Sequence, residues 1–178
     1  STPANYFHML RTQAYKRPRK PLIAFTPKQL LRLSAASSHL DEFTSGGFQP
    51  VIGDDTITDP SSVTRVLLCS GRLYYDLVKE REHRTDTSTA IIRLEQLYPL
   101  PEAEVAEVLA QYPNASVTWV QDEPRNQGAW PHLALNLFPS LGRAVRVVSR
   151  PESATTAAGR ASLHKEQAAT LIAQAFEG

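Results

Sequence analysis

The stretch VTRVLLCSGRLYYDLVKEREHR, residues 63–84, sets the pattern for most of this sequence. It opens with a strand predicted at Val63–Cys69, whose last four residues form an apolar run typical of a buried strand. Ser70 and Gly71 then supply a tight turn, and residues 72–84 have the spacing of a helix with one apolar face, made of Leu73, Tyr74, Leu77 and Val78. A strand, a turn and a helix in this order form the repeating unit of a protein with a parallel sheet.

The same alternation continues to the C-terminus. Further strands are predicted at Thr89–Leu94, Ser116–Gln121 and Ala144–Val148. Further helices are predicted at Glu102–Tyr112, Ala129–Phe138 and Leu163–Phe176. Because crossovers between parallel strands are right-handed, the helices should cover both faces of the sheet. The sequence therefore predicts an α/β fold, a three-layer sandwich around a mainly parallel sheet of about five strands.

The N-terminal third is less regular. Thr2 and Pro3 predict the start of a helix, because Thr is a favoured cap and Pro fits the first helical position. Residues 17–21, RPRKP, should end that helix and form a linker. The apolar run Leu22–Phe25 predicts a short buried strand, and Thr26-Pro27 predicts a short helix after it. Residues 34–62 predict a long surface loop, with short strands near Phe48–Ile52 and Thr56–Thr58.

Charge is unevenly distributed, although the net charge is only +1. Residues 1–40 contain seven basic residues and no Asp or Glu, whereas the remaining twelve basic residues face all eighteen acidic ones. A basic segment of this kind can attract phosphates, carboxylates or an acidic protein surface, or it can be a solvated linker. We expect no nucleic acid as partner, because no recognition motif accompanies the charge.

Motifs for cofactors and covalent catalysis are missing from the sequence. It has no glycine-rich phosphate loop, no hydrolase elbow and no clustered histidines or cysteines, which argues against a metal site. The only cysteine, Cys69, ends an apolar run and is expected to be a small buried residue rather than a nucleophile. A single cysteine also indicates a reducing compartment, and no apolar run approaches the ~18 residues that cross a membrane.

The stretch VQDEPRNQGAWPH, residues 120–132, has the composition of a functional site. Asp122 and Glu123 directly follow a predicted strand, and ligands of open parallel sheets bind beyond the carboxyl ends of strands. Gly128 would allow a close approach of the backbone, and Trp130 is large enough to pack on a partner. The alternative is that these residues only join a strand to a helix, with a polar side chain as cap and Trp130 in the core or in an interface.

Six blocks of the sequence resemble one family. They are STPANYFHMLR (1–11), RKPLIAFTPKQLLR (19–32), LCSGRLYYDL (68–77), IIRLEQLYPLP (91–101), VQDEPRNQGAW (120–130) and GRASLHKEQ (159–167). In this order they resemble the C-terminal end of the thiamine-dependent 2-oxoglutarate dehydrogenase decarboxylating component, including the actinobacterial multifunctional 2-oxoglutarate decarboxylases. The resemblance implies that residues 1–20 are the helix and linker ending a pyrimidine-binding domain. Residues 21–178 would then be a transketolase-like C-terminal domain.

The resemblance also implies what the chain does not hold. In that family, thiamine diphosphate and magnesium are bound by upstream domains, so we expect no cofactor and no catalytic residue here and an isolated chain that is inactive. The parent protein would decarboxylate 2-oxoglutarate oxidatively in the tricarboxylic acid cycle. It would act as a homodimer with the dihydrolipoyl succinyltransferase component, in the bacterial cytoplasm or, in a eukaryote, the mitochondrial matrix.

Two sets of residues are candidates for a function within the chain. Members of the family are regulated by acetyl-CoA or adenine nucleotides such as AMP, and the candidate phosphate contacts here are Arg11, Arg19, Lys20, Lys28 and Arg32. Thr12 and Gln29 depart from the family pattern at this segment. The candidate interface or domain-organising residues are Glu123, Asn126, Gln127 and Trp130. The alternatives are a stand-alone nucleotide- or acyl-CoA-binding module, or a small complete enzyme using Cys69 or the Asp122-Glu123 pair.

Overall fold

The computed structural model describes residues 1–177, which form two compact units along the chain. The N-terminal unit is Ser1–Pro50, and the C-terminal unit begins at Val51. The division expected after residue 20 rests on family relationship rather than on compactness, and it stays a prediction. None of the helices described is both long and apolar enough to cross a bilayer.

Helix α1, Pro3–Tyr15, begins where the sequence predicts a helix start. The hydroxyl of Thr2 accepts a hydrogen bond from the backbone N–H of Asn5 at 3.1 Å, and Pro3 stands in the first turn. Capping of this kind satisfies an N–H group that has no partner inside the helix. The backbone becomes extended at Lys16, immediately before the proline-rich linker.

The inner face of α1 is held by polar contacts within the N-terminal unit. Asn5 is buried, and its side-chain amide both donates to and accepts from the backbone of Gln49, at 3.1 and 2.8 Å. His8 is also buried, with Nε2 at 2.8 Å from the carbonyl oxygen of Glu42. Glu42 lies in helix α2, Leu40–Thr44, which forms within residues 34–62, the stretch predicted to be a long surface loop.

The strand predicted at Leu22–Phe25 is absent from the described residues, and that prediction is wrong for this chain. The run is extended but unpaired, and the side chains of Ile23 and Phe25 are 77% and 95% exposed. Burial of such a run requires neighbouring strands or helices, which the N-terminal unit does not provide. The short helix predicted after it is a 3₁₀ helix, Lys28–Arg32.

Five strands of the C-terminal unit form one sheet in the order β1-β3-β2-β4-β5. They are β1 Val51–Ile52, β2 Arg65–Cys69, β3 Thr89–Leu94, β4 Ser116–Pro124 and β5 Val145–Arg150. β2, β3, β4 and β5 run parallel, while β1 pairs antiparallel with β3. All six residues of β3 are buried, as expected of a strand covered on both faces.

Helices cover both faces of this sheet, which confirms the predicted three-layer sandwich. One face packs on α4, Glu102–Ala110, and α5, Trp130–Asn136, through a core that includes Leu68, Ile92 and Trp119. The opposite face packs on α3, Leu73–His83, and α6, Ala161–Phe176. Right-handed crossovers explain this distribution, because the chain moves one way from β2 to β3 and the other way from β3 to β4.

A buried ion pair joins the loop after β1 to α3 and contacts β3. The carboxylate of Asp54 is paired with Arg81 of α3, and their side chains are only 1% and 9% exposed. The same carboxylate accepts a hydrogen bond from the backbone N–H of Ile91 at 2.8 Å. Arg81 also donates to the hydroxyl of Thr56 at 2.9 Å. These contacts hold residues 54–56 as a loop, so the strand predicted at Thr56–Thr58 does not form.

Predicted boundaries in the C-terminal unit differ from the structure mostly at helix ends. The helix predicted at Ala129–Phe138 divides into α5 and a 3₁₀ helix, Phe138–Leu141. Pro139 explains the division, because proline has no N–H for the α-helical ladder and clashes with the preceding turn. β4 runs to Pro124 rather than ending at Gln121, and a register irregularity separates Val120 from Pro124 where it pairs with β5.

Candidate functional site

The carboxyl ends of β2 and β4 lie side by side at the position where this topology places a crevice. The chain leaves β2 toward α3 on one face of the sheet and leaves β4 toward α5 on the other. In doubly wound sheets, ligands bind where adjacent strands diverge in this way. Arg72, after β2, and Asp122, in β4, meet there with Nη2 and Oδ2 3.3 Å apart.

Asp122 is held between two arginines. Its Oδ1 accepts from Nη2 of Arg150 at 2.7 Å, in addition to the contact with Arg72. Burial alone favours the neutral carboxyl group. The hydrogen bond and charge of Arg150, followed by the charge of Arg72, outweigh burial and hold the pKa of Asp122 below its ordinary value of 3.8. Asp122 is therefore a structural anion rather than a general base poised near neutral pH.

Arg150 is buried, and its donors are engaged by neighbouring groups. Nε donates to the backbone carbonyl of Asp122 at 2.6 Å, and Nη1 lies 3.3 Å from Oε1 of Gln167 in α6. A buried cation needs such partners because its desolvation is costly. With Asp122 as its counterion, Arg150 has little capacity left to attract an external phosphate.

Gln121 organises the β4–α5 junction, which comprises residues 120–130. Its Oε1 accepts from the indole N–H of Trp119 at 3.0 Å and from the backbone N–H of Trp130 at 2.9 Å. Its Nε2 donates to the carbonyls of Pro124 and Gln127 at 3.0 and 2.8 Å. The buried amide thus joins the end of the strand, the turn and the start of α5.

The role of Gln121 was missing from the sequence-based predictions, although a signal exists. Val117 and Trp119 are buried in the core beneath α4 and α5. Side chains two residues apart share one face of a strand, so Gln121 is placed toward the same face. A polar residue at an inward position must find hydrogen-bond partners.

Gly128 makes the turn possible. Its φ is +65°, which L side chains rarely adopt, and a Cβ atom there would lie 2.9 Å from the Cβ of Glu123. The close approach expected at this glycine is confirmed, and the neighbour that approaches is the aliphatic stem of Glu123. The Glu123 residue itself is exposed.

Asn126 and Gln127 tie the turn to the loop that precedes α6. The Asn126 side chain donates to the carbonyl of Ser153 at 3.0 Å and accepts from its N–H at 3.1 Å. Gln127 donates to the carbonyls of Ser153 and Thr155 at 2.8 and 3.2 Å. These side chains immobilise a loop rich in Ser, Thr and Ala that has little apolar surface of its own.

Trp130 packs within the C-terminal unit. Its ring lies 5.7 Å from that of Phe138, which in turn lies 6.3 Å from Trp119. Trp130 is half-buried, so part of its surface stays accessible. A contribution of Glu123, Asn126, Gln127 and Trp130 to a subunit interface stays a prediction.

Cys69 cannot serve as a nucleophile in this structure. It is buried, and burial raises the pKa of its thiol to about 12, despite the opposing charge of Arg93. The thiol is therefore protonated at neutral pH, and thiolate chemistry requires the deprotonated form. This agrees with the expectation of a small core residue.

A cavity of about 440 Å³ opens beside the carboxyl ends of β4 and β5. Its polar lining includes Asp122, Glu123, Arg150, Glu152, His164 and Gln167. The one buried cation in this set is neutralised by Asp122. Within residues 1–177, no three His, Cys, Asp or Glu side chains are grouped closely enough to hold a metal ion. The polar contacts around this cavity therefore hold the β4–α5 turn and the loop before α6 in place.

The basic candidates lie elsewhere, in the N-terminal unit. Arg11 is engaged, since Nη2 donates to the carbonyl of Gly46 at 2.7 Å and its guanidinium lies 5.8 Å from the ring of Phe7. The other four, Arg19, Lys20, Lys28 and Arg32, are exposed. Arg11 therefore has a structural contact within the N-terminal unit, and a role of all five residues as effector contacts stays a prediction.

Comparisons with known proteins agree with the resemblance seen in the sequence. A family model described as 2-oxoglutarate dehydrogenase C-terminal matches residues 37–176. The 2-oxoglutarate dehydrogenase E1 component of Cupriavidus necator is 45% identical over 99% of this chain, and that of Haemophilus influenzae is 44% identical over the same share. The E1/E2 component of Corynebacterium glutamicum is also 45% identical over 99% of the chain.

These relatives are much longer than the chain, which spans 19% of the first two and 15% of the third. The match to the family model covers the whole sheet and the β4–α5 junction, while the full-length relatives also match the N-terminal unit. On these grounds, the chain belongs to the 2-oxoglutarate dehydrogenase C-terminal family.

Proposed function

We propose that this chain is the C-terminal segment of a 2-oxoglutarate dehydrogenase-type decarboxylase that acts in the tricarboxylic acid cycle. The proposal is supported mainly by the sequence identity of 44–45%, over 99% of the chain, to 2-oxoglutarate dehydrogenase E1 components. The parent protein would decarboxylate 2-oxoglutarate and pass the product to a dihydrolipoyl succinyltransferase. It would work as a homodimer in the bacterial cytoplasm.

The residues described do not fit the cofactor of such an enzyme. Magnesium bound to a diphosphate usually takes one or two protein carboxylates as ligands, and these carboxylates must be free of other partners. At the crevice, Asp122 is committed to Arg150 and Arg72, and Asp76 is paired with Arg72 as well. We therefore assign thiamine diphosphate and magnesium to other parts of the parent protein.

The contribution of this chain is structural. The Gln121 amide and the Asp122–Arg150 pair hold the carboxyl edge of the sheet, and Asn126 and Gln127 hold the loop before α6. Such an edge presents a rigid surface to the rest of the parent chain or to a second subunit. Supporting structure of this kind preserves the geometry of a neighbouring active site.

The test is a comparison of the 178-residue chain with the polypeptide encoded by its complete reading frame. With thiamine diphosphate and magnesium, the complete polypeptide should release carbon dioxide from 2-oxoglutarate, and the chain alone should not. Pyruvate serves as the control substrate. Turnover by the chain alone, or a reading frame that encodes no further domains, would contradict the proposal.

A second role is favoured by the exposed basic side chains. Arg19, Lys20, Lys28 and Arg32 lie in a stretch of forty residues without a single acid, so no neighbouring carboxylate in sequence competes for them. Arg and Lys suit phosphate groups well. We propose that these residues contact acetyl-CoA or AMP as a regulator of the parent protein.

Calorimetry with acetyl-CoA, AMP and ADP tests this second role. Replacing Arg19 and Lys20 by Ala should weaken binding about tenfold or more, whereas Lys165→Ala, an exposed control outside the basic segment, should leave it unchanged. Equal binding by the chain alone and by the complete polypeptide would favour a stand-alone binding module. Absence of heat at millimolar ligand in both would exclude the role.

A further inference from the structure

Strand β5, Val145–Arg150, is an edge of the sheet that the described residues leave open. It stands last in the strand order and pairs there with β4 alone. Within residues 1–177, the backbone groups of residues 145–149 form no backbone hydrogen bond outside the sheet. Edge strands are commonly protected by proline, lysine or a bulge, whereas β5 contains no proline or lysine and is half valine. Its outer edge is therefore able to accept another strand.

Helix α6 leaves this edge uncovered and forms a groove beside it. The helix packs against β5, β4 and α3, so it lies over the sheet rather than beyond the edge. A cavity of about 600 Å³ opens between β5 and α6. Glu166, Thr170 and Gln174 line it from α6, at the four-residue spacing that places side chains on one helix face. The groove is thus bounded by a strand edge and by a polar helix face.

The strand and the helix run in opposite directions along the groove. Nη1 of Arg150, at the end of β5, donates to the carbonyl of His164 in the first turn of α6 at 3.4 Å. Nη2 of Arg146, near the start of β5, donates to the carbonyl of Gln174 in the last turn at 3.3 Å. A two-fold axis at the middle of the groove would therefore bring the carboxyl end of β5 in one copy against its amino end in the other.

The two ends of the groove carry opposite charge. Arg146, near the amino end of β5, is exposed. At the carboxyl end, Glu152 and Glu166 line the groove together with Arg125 and Arg150. Because Arg150 is already neutralised by an ion pair within the chain, the acidic side chains are in excess at this end. An antiparallel copy of the same surface is thus electrostatically complementary to it.

We propose that two copies of the chain join through β5, with the two strands antiparallel about a two-fold axis at Ser149. Arg146 of each copy then lies opposite Glu152 of the other, because each is three residues from Ser149. Glu166 of one α6 faces the end of the other helix that carries Gln174, so like charges are kept apart.

This contact uses the same patch on both copies, as a two-fold interface requires. Main-chain hydrogen bonds between the two edges provide the attraction, and the charged pairs fix the register. The inference rests on the proposed function, because it assigns a surface to the proposed homodimer. The partner that it names is a second copy of this chain.

Disulfide cross-linking of the complete polypeptide tests the contact. Directly opposed residues of antiparallel strands have Cα atoms roughly 5 Å apart, which a disulfide can bridge. Ser149→Cys should form a linked dimer about tenfold or more faster than Ser116→Cys, an exposed position of the interior strand β4, because the contact raises the effective concentration of the two thiols.

Two results would overturn the inference. One is a rate for Ser149→Cys no higher than that of the control. The other is a disulfide from position 149 to a different part of the polypeptide, identified by mass spectrometry, which would favour an upstream strand as the occupant. Carbon dioxide release from 2-oxoglutarate is measured on the same samples, so failure of the cross-link and failure of the proposed function are told apart.

A charge exchange tests the register. Added to Ser149→Cys, the change Arg146→Glu should slow cross-linking about tenfold or more, because it sets like charges opposite each other. Adding Glu152→Arg should restore the rate, whereas Glu82→Arg, an exposed position of α3, should not. Cross-linking that ignores Arg146→Glu, or that Glu82→Arg restores equally well, would overturn the antiparallel arrangement. If Arg146→Glu fails to fold, the comparison of Ser149→Cys with Ser116→Cys still decides whether the contact exists.

Discussion

At the scale of single residues, the β4–α5 junction depends on polar side chains that form hydrogen bonds with other groups of the protein. Gln121 alone connects Trp119, Pro124, Gln127 and Trp130. The cost of disturbing such a network is set mainly by the buried partners that are left without hydrogen bonds.

Gln121→Met keeps the volume and removes both polar atoms of the amide. The indole N–H of Trp119 and the carbonyl of Gln127 then lose their partners in a buried site. We expect the free energy of unfolding to fall by about 3–5 kcal/mol, measured by urea denaturation. Gln174→Met, at an exposed position of α6, is the control and should change it by less than about 0.5 kcal/mol. A loss below about 1 kcal/mol for Gln121→Met would contradict the assigned role.

The Asp122–Arg150 pair should make stability depend on pH in the acidic range. The folded-state pKa of Asp122 lies below its ordinary value of 3.8, so its contribution is fully present above that value and is lost as pH falls through the folded-state pKa. Asp122→Asn should be less stable than the natural chain at pH 7, and the two should converge at pH values below 3.8. Urea denaturation between pH 7 and pH 2 measures this. The exposed control Asp55→Asn should follow the natural chain throughout, and a gap for Asp122→Asn that does not vary with pH would contradict the assignment.

At the scale of elements, the turn between β4 and α5 combines an unusual backbone conformation with a steric contact. Gly128 and Gly142 have nearly equal φ values of +65° and +63°, but only Gly128 has a neighbour within 4 Å of the position a Cβ would take. The two glycines therefore separate the conformational cost of a side chain from its steric cost.

Alanine at each glycine measures these costs. Gly142→Ala should lower the free energy of unfolding by about 1 kcal/mol, the cost of a left-handed alanine alone. Gly128→Ala should cost about 1–3 kcal/mol more, because its Cβ meets Glu123. Denaturation of both variants gives the comparison. If both substitutions lowered the free energy of unfolding equally, the contact with Glu123 would make no contribution to the cost at Gly128.

At the scale of the whole molecule, the C-terminal unit holds what is needed for an independent core. Both clusters of buried apolar residues are drawn from Val63 and later positions. The two tryptophans, Trp119 and Trp130, lie in this unit, so tryptophan fluorescence and near-ultraviolet dichroism report chiefly on its packing.

A fragment that starts at Val51 should therefore fold. We expect a cooperative thermal transition and near-ultraviolet dichroism from the tryptophans that resembles that of the whole chain. Residues 1–50 alone, in which only Ala4, Asn5 and His8 are buried, serve as the comparison and should show no cooperative transition. Loss of the tryptophan signal in the fragment would show that the unit depends on the residues before it.

Much of this architecture could be predicted from the sequence. The strand Thr89–Leu94 has the predicted bounds, because its apolar centre, Ala90–Ile92, is followed closely by the acidic Glu95 and preceded by the polar residues 85–88. Helix α2 was missed because one short polar turn carries no periodic signal. The failure at Leu22–Phe25 has another cause, since the pattern shows what a segment needs but not whether a partner is present. Alternation with Val117 and Trp119 could have placed the Gln121 side chain inward, but its partners Trp130 and Gln127 could not be predicted, because only the folded turn brings them to it.

The hydrogen bonds of Gln121 restrict which amino acids the position can accept. Two donors converge on one end of the side chain and two acceptors on the other, so the replacement must offer both kinds of atom at the same reach. Asparagine is one methylene too short, and glutamate offers no donor to the carbonyls. Methionine and leucine fit the space but offer neither function. Of the amino acids compared, only glutamine satisfies both pairs of hydrogen bonds. A gene library that is randomised at codon 121 and selected for stable folding should therefore yield glutamine.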